Sequence, residues 1–270
     1  MKKLNRFKIG CLGFGNMGAA VISGLTEKVS PAKISIFDLN KSRLKVAKQI
    51  GLKTIPNLKT LVENSDLILI AVKPKDFKTI LPELKDFLTN QILVSVAAGI
   101  KISYIKKFTP KQVSIFRVMP NTPALVKESM SVISPARNAL PKDIKIVTEI
   151  FSLIGQTMIL PEKKLDAVTA LSGSGPAYVL TMIKAMTGGG IKMGLPPQKA
   201  LALATQTVLG AAKLLADSSQ KPEILIDQVT SPGGTTLEGL KVLDQGKFSD
   251  IVEKAIKAAT KRSIELGKNS

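Results

Sequence analysis

Three glycines near the start of the chain have the spacing G-x-G-x-x-G, directly after the apolar run 7–12 and before a segment with helical periodicity. We call this segment the first glycine turn; it comprises Gly13, Phe14, Gly15, Asn16, Met17 and Gly18. In a strand-turn-helix unit the first glycine makes the tight turn, the second lets a pyrophosphate approach the backbone, and the third lets helix and strand pack closely. The spacing therefore predicts a dinucleotide-binding turn with helix amides facing the phosphates.

An acidic residue, Asp38, follows the apolar run 34–37, at about the 20-residue distance expected of an acid that binds the adenine ribose. An acid at this position favours NAD, whereas the basic Lys41 and Arg43 that come next favour the 2′-phosphate of NADP. The two signals conflict, so NADPH or NADH is predicted without a preference. In an alternative without cofactor contact, Asp38 and Asn40 cap the next helix.

Residues 231–236, which we call the second glycine turn, combine residue types that suit a carboxylate. Pro232 stiffens the entry, and Gly233 and Gly234 let an anion approach the main chain. Because a predicted helix follows at once, free amides and the helix dipole favour negative charge there. The alternative is an ordinary turn between helices with a threonine cap.

Several chemistries are excluded by residue types that the chain lacks. It has no histidine, no tryptophan and a single cysteine, Cys11. This excludes a disulfide framework, Ser/His/Asp or Cys/His nucleophile pairs, and a zinc site of the usual Cys/His kind. We expect no metal, and chemistry in which a cofactor supplies the reactive atom. Cys11 lies in the first apolar run and is predicted to be an inert buried thiol.

The elements that must position these residues alternate, up to residue 160, between short apolar runs and amphipathic stretches. Consecutive Ile, Leu and Val residues are typical of parallel strands buried on both faces. The predicted strands are 7–12, 34–37, 67–72, 92–97 and 113–118, and the predicted helices are 16–27, 41–50, 57–64, 75–88 and 101–108. Residues 1–160 are therefore predicted to be an α/β, Rossmann-like domain with a doubly wound sheet.

After Pro161 the strand-like runs give way to a sequence dominated by Ala, Leu and Lys. The predicted helices are 163–186, 197–218, 222–229, 236–244 and 248–266. Residues 161–270 are therefore predicted to be an all-helical domain, and its broad apolar faces predict a subunit partner. Glycines and a proline interrupt the first of these helices at 171–176, so Ser172 and Ser174 are interpreted as packing residues.

Charge and hydropathy bear on partners and location. The net charge of +19 normally suggests nucleic acid, but it comes mainly from scattered lysines with few aromatic residues between them, so we interpret it as a solvated surface. The longest apolar run, 67–72, is far shorter than a spanning helix, so we expect no membrane segment. With a single thiol, this favours a cytoplasmic location.

Further motifs follow the predicted strands and recur in the helical half. They are Ala71-Val72-Lys73-Pro74, Ala97-Ala98-Gly99, Arg117-Val118-Met119-Pro120-Asn121-Thr122-Pro123, Leu171-Ser172-Gly173-Ser174-Gly175-Pro176-Ala177-Tyr178 and Val229-Thr230-Ser231-Pro232-Gly233-Gly234-Thr235-Thr236. With the first glycine turn they closely resemble the pyrroline-5-carboxylate reductases over nearly the whole chain. The resemblance implies reduction of Δ1-pyrroline-5-carboxylate to L-proline with NADPH or NADH, the last step of proline biosynthesis.

Site residues are carried over from this resemblance by matching positions. The predicted cofactor-binding residues are Gly13, Phe14, Gly15, Asn16, Met17, Gly18, Asp38, Asn57, Ala71, Val72, Lys73, Pro74, Ala97, Ala98 and Gly99. The predicted substrate-binding residues are Asn121, Ser231, Gly233, Gly234, Thr235 and Thr236, with Thr236 also catalytic. The resemblance further implies a homodimer formed by the helical domain, and larger rings of dimers.

Two positions depart from the family pattern. Residues 188–190 are three glycines where relatives usually have one or two after an acidic residue, so the sequence does not determine the residue at which that helix ends. Asp38 stands where many NADP-preferring relatives carry a small or neutral residue, which leaves the cofactor choice open.

The residue types agree with reduction of an imine. Reduction of a carbonyl usually needs a proton donor such as His, Tyr or Lys, and the chain offers only Tyr104 and Tyr178 as tyrosines. The nitrogen of a protonated imine begins cationic and becomes neutral as hydride arrives, so one hydrogen-bonding hydroxyl, such as that of Thr236, suffices.

Two other functions remain open from the sequence. A β-hydroxyacid dehydrogenase depends on a lysine in a helical motif, and the helix from Leu165 offers only Lys184, beyond the break at Pro176. A DNA-binding or redox-sensing Rossmann-like module without turnover would use the net positive charge.

Overall fold

The computed structural model describes residues 4–268, which form two compact units. The first unit contains residues 4–174 together with 258–268, and the second is Gly175–Lys257. A boundary between independent domains near residue 160 stays a prediction.

The first unit is built on one eight-stranded sheet. Its strands are β1 Ile9–Leu12, β2 Ile34–Phe37, β3 Lys53–Thr54, β4 Leu67–Ile70, β5 Ile92–Ser95, β6 Ser114–Met119, β7 Ser129–Pro135 and β8 Gly155–Ile159. The strand order is β3-β2-β1-β4-β5-β6-β7-β8, and every neighbouring pair is parallel except β6 and β7. The order reverses between β1 and β4, and ligands bind at the carboxyl ends of the strands at such a switch point.

Helices cover both faces of this sheet. They are α1 Asn16–Leu25, α2 Lys41–Gln49, α3 Leu58–Glu63, α4 Phe77–Lys85, α5 Ile102–Ile105, α6 Pro141–Ser152 and α7 Leu165–Val168. Leu67 and Leu69 of β4 pack in the cluster that contains α1 and α6, whereas Ile68 and Ile70 pack in the cluster that contains α3 and α4. Burial on both faces explains why the strand is apolar at consecutive positions.

The second unit is helical. Its helices are α8 Gly175–Lys192, α9 Pro197–Asp217, α10 Pro222–Gln228 and α11 Thr235–Gln245, followed by the first residues of α12 Phe248–Lys268. The three glycines at 188–190 do not end α8, which continues to Lys192. Gly190 lies at the packing contact with α9, where an added Cβ would be 3.3 Å from that of Ala200.

The sheet is larger than the sequence analysis predicts. Strands β3, β7 and β8 and helix α6 were not predicted. Strand β7 interleaves serines with apolar residues, and its buried Ser131 and Ser134 hide the apolar signal. Strand β8 begins with Gly155 and is largely exposed, so it lacks an apolar run.

The predicted helix 163–186 is wrong as a continuous element. A 3-10 turn, Glu162–Lys164, leads into the short α7, which passes into a π-helical turn, Thr169–Gly173, before α8 begins. Glycines at 173 and 175 and the proline at 176 disfavour regular α-helix there. Similarly, the predicted helix 101–108 is α-helical only over Ile102–Ile105 and then tightens to 3-10 geometry.

Candidate active site

The first glycine turn connects β1 to α1 at the switch point of the sheet. The amide of Gly13 donates to the carbonyl of Phe37 at 2.8 Å, and Gly13 has a φ of 94°. A Cβ on Gly13 would lie 2.8 Å from the carbonyl oxygen of Ala71, and one on Gly18 would lie 2.2 Å from that of Gly13. Both positions therefore exclude any side chain.

Gly15 is different, because a Cβ there would make only ordinary van der Waals contact with a flexible side chain. The nearest heavy atom there is the end of the Arg43 side chain at 3.6 Å. Gly15 is the N-cap of α1, and no side chain caps that helix start. Since the first amides of a helix need an acceptor, the turn fits a pyrophosphate.

Asp38 is bound to the protein through both carboxylate oxygens. Its Oδ2 accepts from the amide of Phe14 at 2.7 Å, and its Oδ1 accepts from the amide of Asn40 at 2.7 Å. Arg43 adds an ion pair at 3.4 Å, and the Asp38 side chain is only 7% exposed. Asn40, and not Asp38, caps α2, because its side chain accepts from the amides of Ser42 and Arg43.

Two further loops begin at the same carboxyl edge of the sheet, after β4, which is next to β1, and after β5, which is one strand farther away. The loop 71–74 follows β4, and the amide of Ala71 donates to the carbonyl of Leu12 at 2.8 Å. Lys73 in this loop is exposed to solvent. The loop 97–99 follows β5, with Ala97 and Gly99 buried. Asn57 is the N-cap of α3, and its side-chain oxygen accepts from the amide of Thr60 at 2.8 Å.

Asn121 follows β6 at the same edge and joins three segments. Its side-chain oxygen accepts from the amide of Met130 at 3.1 Å, and its Nδ2 donates to the carbonyl and hydroxyl of Ser172, both at 3.2 Å. The π-helical turn that carries Ser172 also packs closely, since a Cβ on Gly173 would lie 2.7 Å from the Met119 side chain. These contacts agree with a packing role for Ser172.

The second glycine turn lies in the second unit, between α10 and α11. The amide of Gly234 donates to the carbonyl of Ser231 at 2.9 Å, and Gly233 has a φ of 68°. Proline followed by a glycine at positive φ is the pattern of a type II turn. Helix α11 begins at Thr235 with no side-chain cap, so its first amides remain available for an anion.

The structure thus brings the predicted residues together in two groups. One group is at the carboxyl edge of the sheet in the first unit and comprises Gly13, Phe14, Gly15, Asn16, Met17, Gly18, Asp38, Ala71, Val72, Lys73, Pro74, Ala97, Ala98, Gly99 and Asn121. The other group is in the second unit and comprises Ser231, Gly233, Gly234, Thr235 and Thr236. Asn57 lies after β3, where it caps α3.

Cys11 is fully buried within β1. Burial, and secondarily the negative charge of Asp38, raises the pKa of its thiol far above the ordinary value. A thiol in this state is a poor nucleophile, which agrees with an inert role.

A buried ionic cluster in the first unit was missed by the sequence analysis. Arg117 of β6 is 3% exposed and lies 3.4 Å from Glu162 and 3.9 Å from Asp166. Glu162 and Asp166 are close in the chain, but Arg117 lies 45 residues before Glu162, and no spacing pattern links it to the two acids. Within residues 4–268, no helix combines the length and apolar character needed to cross a bilayer.

The chain is similar to known proteins over nearly its whole length. This chain is 41% identical over 267 residues to the pyrroline-5-carboxylate reductase of Arabidopsis thaliana, and the match covers 97% of this chain and 96% of that protein. This chain belongs to the pyrroline-5-carboxylate reductase family. Residues 162–266 match the family described as pyrroline-5-carboxylate reductase dimerisation, and residues 8–99 match that described as NADP oxidoreductase, coenzyme F420-dependent.

Solved structures of pyrroline-5-carboxylate reductases share the fold. The enzyme from Coxiella burnetii has a TM-score of 0.91 at 32% identity, covering 97% of this chain and 99% of that one. The Plasmodium falciparum enzyme, solved with NADP bound, has a TM-score of 0.89 at 31% identity, with coverage of 97% and 99%. The predicted Rossmann-like and helical architecture is confirmed, and nothing in these comparisons favours a nucleic-acid-binding module.

Proposed function

We propose that this member of the pyrroline-5-carboxylate reductase family reduces Δ1-pyrroline-5-carboxylate to L-proline with NADPH or NADH, the last step of proline biosynthesis. The observation that carries the proposal is the start of α1 at the switch point of the sheet, where Gly15 is the N-cap and no side chain caps the first amides. Identity of 41% to a curated reductase over nearly the full chain supports it. A cytoplasmic location, suggested by the single thiol, is part of the proposal.

The cofactor would lie across the carboxyl edge of the sheet. The amides of the first glycine turn hold its pyrophosphate, and the adenosine half lies towards Asp38. The nicotinamide half then lies towards the loops 71–74 and 97–99, which follow β4 and β5 on the other side of the switch point. When bound, the reduced nicotinamide supplies the hydride.

The second glycine turn would hold the substrate. Amides of Gly233 and Thr235 donate to its carboxylate, whereas the amide of Gly234 closes the type II turn on the carbonyl of Ser231, so that Gly234 contributes by letting the carboxylate approach the main chain. The hydroxyl oxygen of Thr236 accepts from the protonated ring nitrogen. Since this nitrogen becomes neutral during the reaction, orientation by these groups replaces a strong general acid.

Exposed apolar side chains of the helical unit support a homodimer. Large exposed hydrophobic residues recur along α8, α9 and α10, and they include Leu180, Met182, Leu201, Leu203, Leu209, Leu214, Ile224 and Ile226. So many exposed large apolar side chains on one helical unit indicate a protein interface. The match of residues 162–266 to a dimerisation family supports the same assignment, and rings of dimers extend the proposal.

The environment of Asp38 favours NADPH over NADH. Both of its carboxylate oxygens already accept from backbone amides, whereas the Arg43 side chain is about half exposed beside Gly15. A guanidinium in this place binds a 2′-phosphate well, and Lys41 at the start of α2 adds positive charge.

A direct assay tests the proposal. Purified protein is mixed with pyrroline-5-carboxylate and either NADPH or NADH, and both cofactor oxidation and proline formation are followed. We expect one mole of proline for each mole of cofactor oxidised. No oxidation with either cofactor would contradict the proposed function.

A further inference from the structure

The end of α12 touches the loop that follows β5. A Cβ on Gly267 would lie 3.0 Å from the carbonyl oxygen of Gly99, and a Cβ on Gly99 would lie 3.3 Å from the amide nitrogen of Gly267. Gly99 also has a φ of 79°, which a side chain disfavours. The two main chains therefore meet directly, at a distance at which an added methyl group would force its neighbour to shift by a few tenths of an ångström.

A buried network ties this helix end to the sheet. The hydroxyl of Ser263, which is 4% exposed, donates to Asp166 Oδ1 at 2.7 Å. Asp166 lies 3.9 Å from Nη2 of Arg117, whose Nη1 lies 3.4 Å from Glu162. Because the guanidinium is almost completely buried, the two carboxylates must compensate its positive charge, and these ion pairs also restrict the positions of the carboxylates.

The same network reaches the far end of the segment 97–102, and the sheet holds its near end. Glu162 Oε1 accepts from the amide of Ile102, the first residue of α5, at 2.8 Å. At the other end the amide of Ala97 donates to the hydroxyl of Ser95, which pairs with Arg117 in the sheet. The segment 97–102 is thus held at its two ends and contacted by Gly267 in between.

We propose that Gly267 and Ser263 are positioning residues that fix the loop 97–99 and, through it, the nicotinamide end of the cofactor. This inference rests on the proposed function. Hydride transfer requires the reacting atoms at near-contact distance, so a small shift of this loop lowers turnover steeply. The pyrophosphate is held separately by the first glycine turn, so cofactor affinity changes less.

The first test is Gly267→Ala. Alanine is a better helix former than glycine, so the variant strengthens α12 locally while its methyl group presses on Gly99. We expect kcat to fall about tenfold or more, with the Kd for NADPH within about twofold and cooperative unfolding retained. Lys261→Ala, an exposed change on the same helix, is the control and leaves all three quantities unchanged.

The second test does not depend on turnover. Hydrogen–deuterium exchange of the cofactor-free protein is compared for wild type, Gly267→Ala, Ser263→Ala and Lys261→Ala. We expect faster exchange in 97–102 for the first two variants only, with 13–18 unchanged. Ser263→Ala removes a single hydroxyl, so it carries the same expectation if Gly267→Ala fails to fold.

Two results would overturn the inference. One is exchange in 97–102 that is the same in Ser263→Ala as in Lys261→Ala, and the other is an unchanged kcat in a folded Gly267→Ala. A wild-type protein that oxidises no cofactor, but whose variants show the expected exchange, would refute the proposed function and still support the contact between α12 and the loop.

Discussion

The two glycine turns of this chain use glycine for different physical reasons. In the first turn, added Cβ atoms on Gly13 and Gly18 would collide with backbone oxygens at 2.8 Å and 2.2 Å. In the second turn, an added Cβ on Gly233 meets nothing within 4 Å, and its φ of 68° is the constraint. Space is the constraint at Gly18 and backbone conformation is the constraint at Gly233, while Gly13 has both, since its φ is 94°.

This difference separates fold from ligand binding. A substitution at Gly13 or Gly18 changes the packing of β1, α1 and the loop after β4, so stability and cofactor affinity fall together. A substitution at Gly233 leaves the packing intact and changes only how the amides are presented.

The largest effect is expected for Gly18→Ala. Its methyl group would lie 2.2 Å from the Gly13 carbonyl, so we expect a loss of about 3 kcal/mol in the free energy of unfolding and no measurable cofactor binding. The matched control is Gly15→Ala, whose methyl group meets only Arg43 at 3.6 Å. This variant keeps its stability in urea unfolding but binds NADPH weakly. Equal stability of the two variants would contradict the distinction.

The next effect concerns the hydroxyl of Thr236. Thr236→Ala removes the acceptor for the ring nitrogen, and we expect kcat/KM for pyrroline-5-carboxylate to fall about 10- to 100-fold. The Kd for NADPH, measured by cofactor fluorescence, stays unchanged. Lys241→Ala, exposed on the same helix, is the control. Equal losses in substrate turnover and cofactor affinity would count against the assigned role.

A smaller effect is expected for Gly233→Ala. The left-handed conformation costs a residue with a Cβ about 1–2 kcal/mol, so the turn opens and KM for the substrate rises about tenfold, with the melting temperature little changed. Gly233→Asn is the informative partner, because asparagine tolerates this conformation and restores most of the affinity. If asparagine and alanine behave alike, backbone conformation is not the constraint.

The smallest effect is a change in cofactor choice. Asp38→Ser removes a negative charge and frees the Arg43 guanidinium, so we expect the kcat/KM ratio of NADPH to NADH to rise several-fold. Lys45→Ala, exposed on the same helix, leaves the ratio unchanged. A ratio that falls would mean that Asp38 does not oppose the 2′-phosphate.

Much of the fold follows from local sequence patterns. Strand β2 is predicted at its observed bounds, and the first glycine turn stands between β1 and α1 as expected. Helix α6 was missed although its signals are present: Pro141 stands at its first position, and Val147, Ile150 and Phe151 are buried on one side. Strands β7 and β8 carry no such signal, because their pairing depends on distant neighbours.

The candidate site divides in the same way. The conformation of a turn such as 13–18 is determined by consecutive residues, so its geometry is predictable from the sequence. The roles of Asp38, Asn121 and Arg117 depend on contacts with residues far along the chain, which one sequence does not specify. Asp38 therefore leaves the cofactor choice open in the sequence, and its two backbone contacts are visible only in the structure.

The discontinuity of the first unit bears on how the protein is made. Residues 258–268 belong to this unit, yet they are synthesised only after the whole of 175–257. The sheet can assemble early, but Gly99 and Asp166 must wait for their partners on α12. Nascent chains that lack these last residues would therefore carry a sheet whose loop after β5 is still loose.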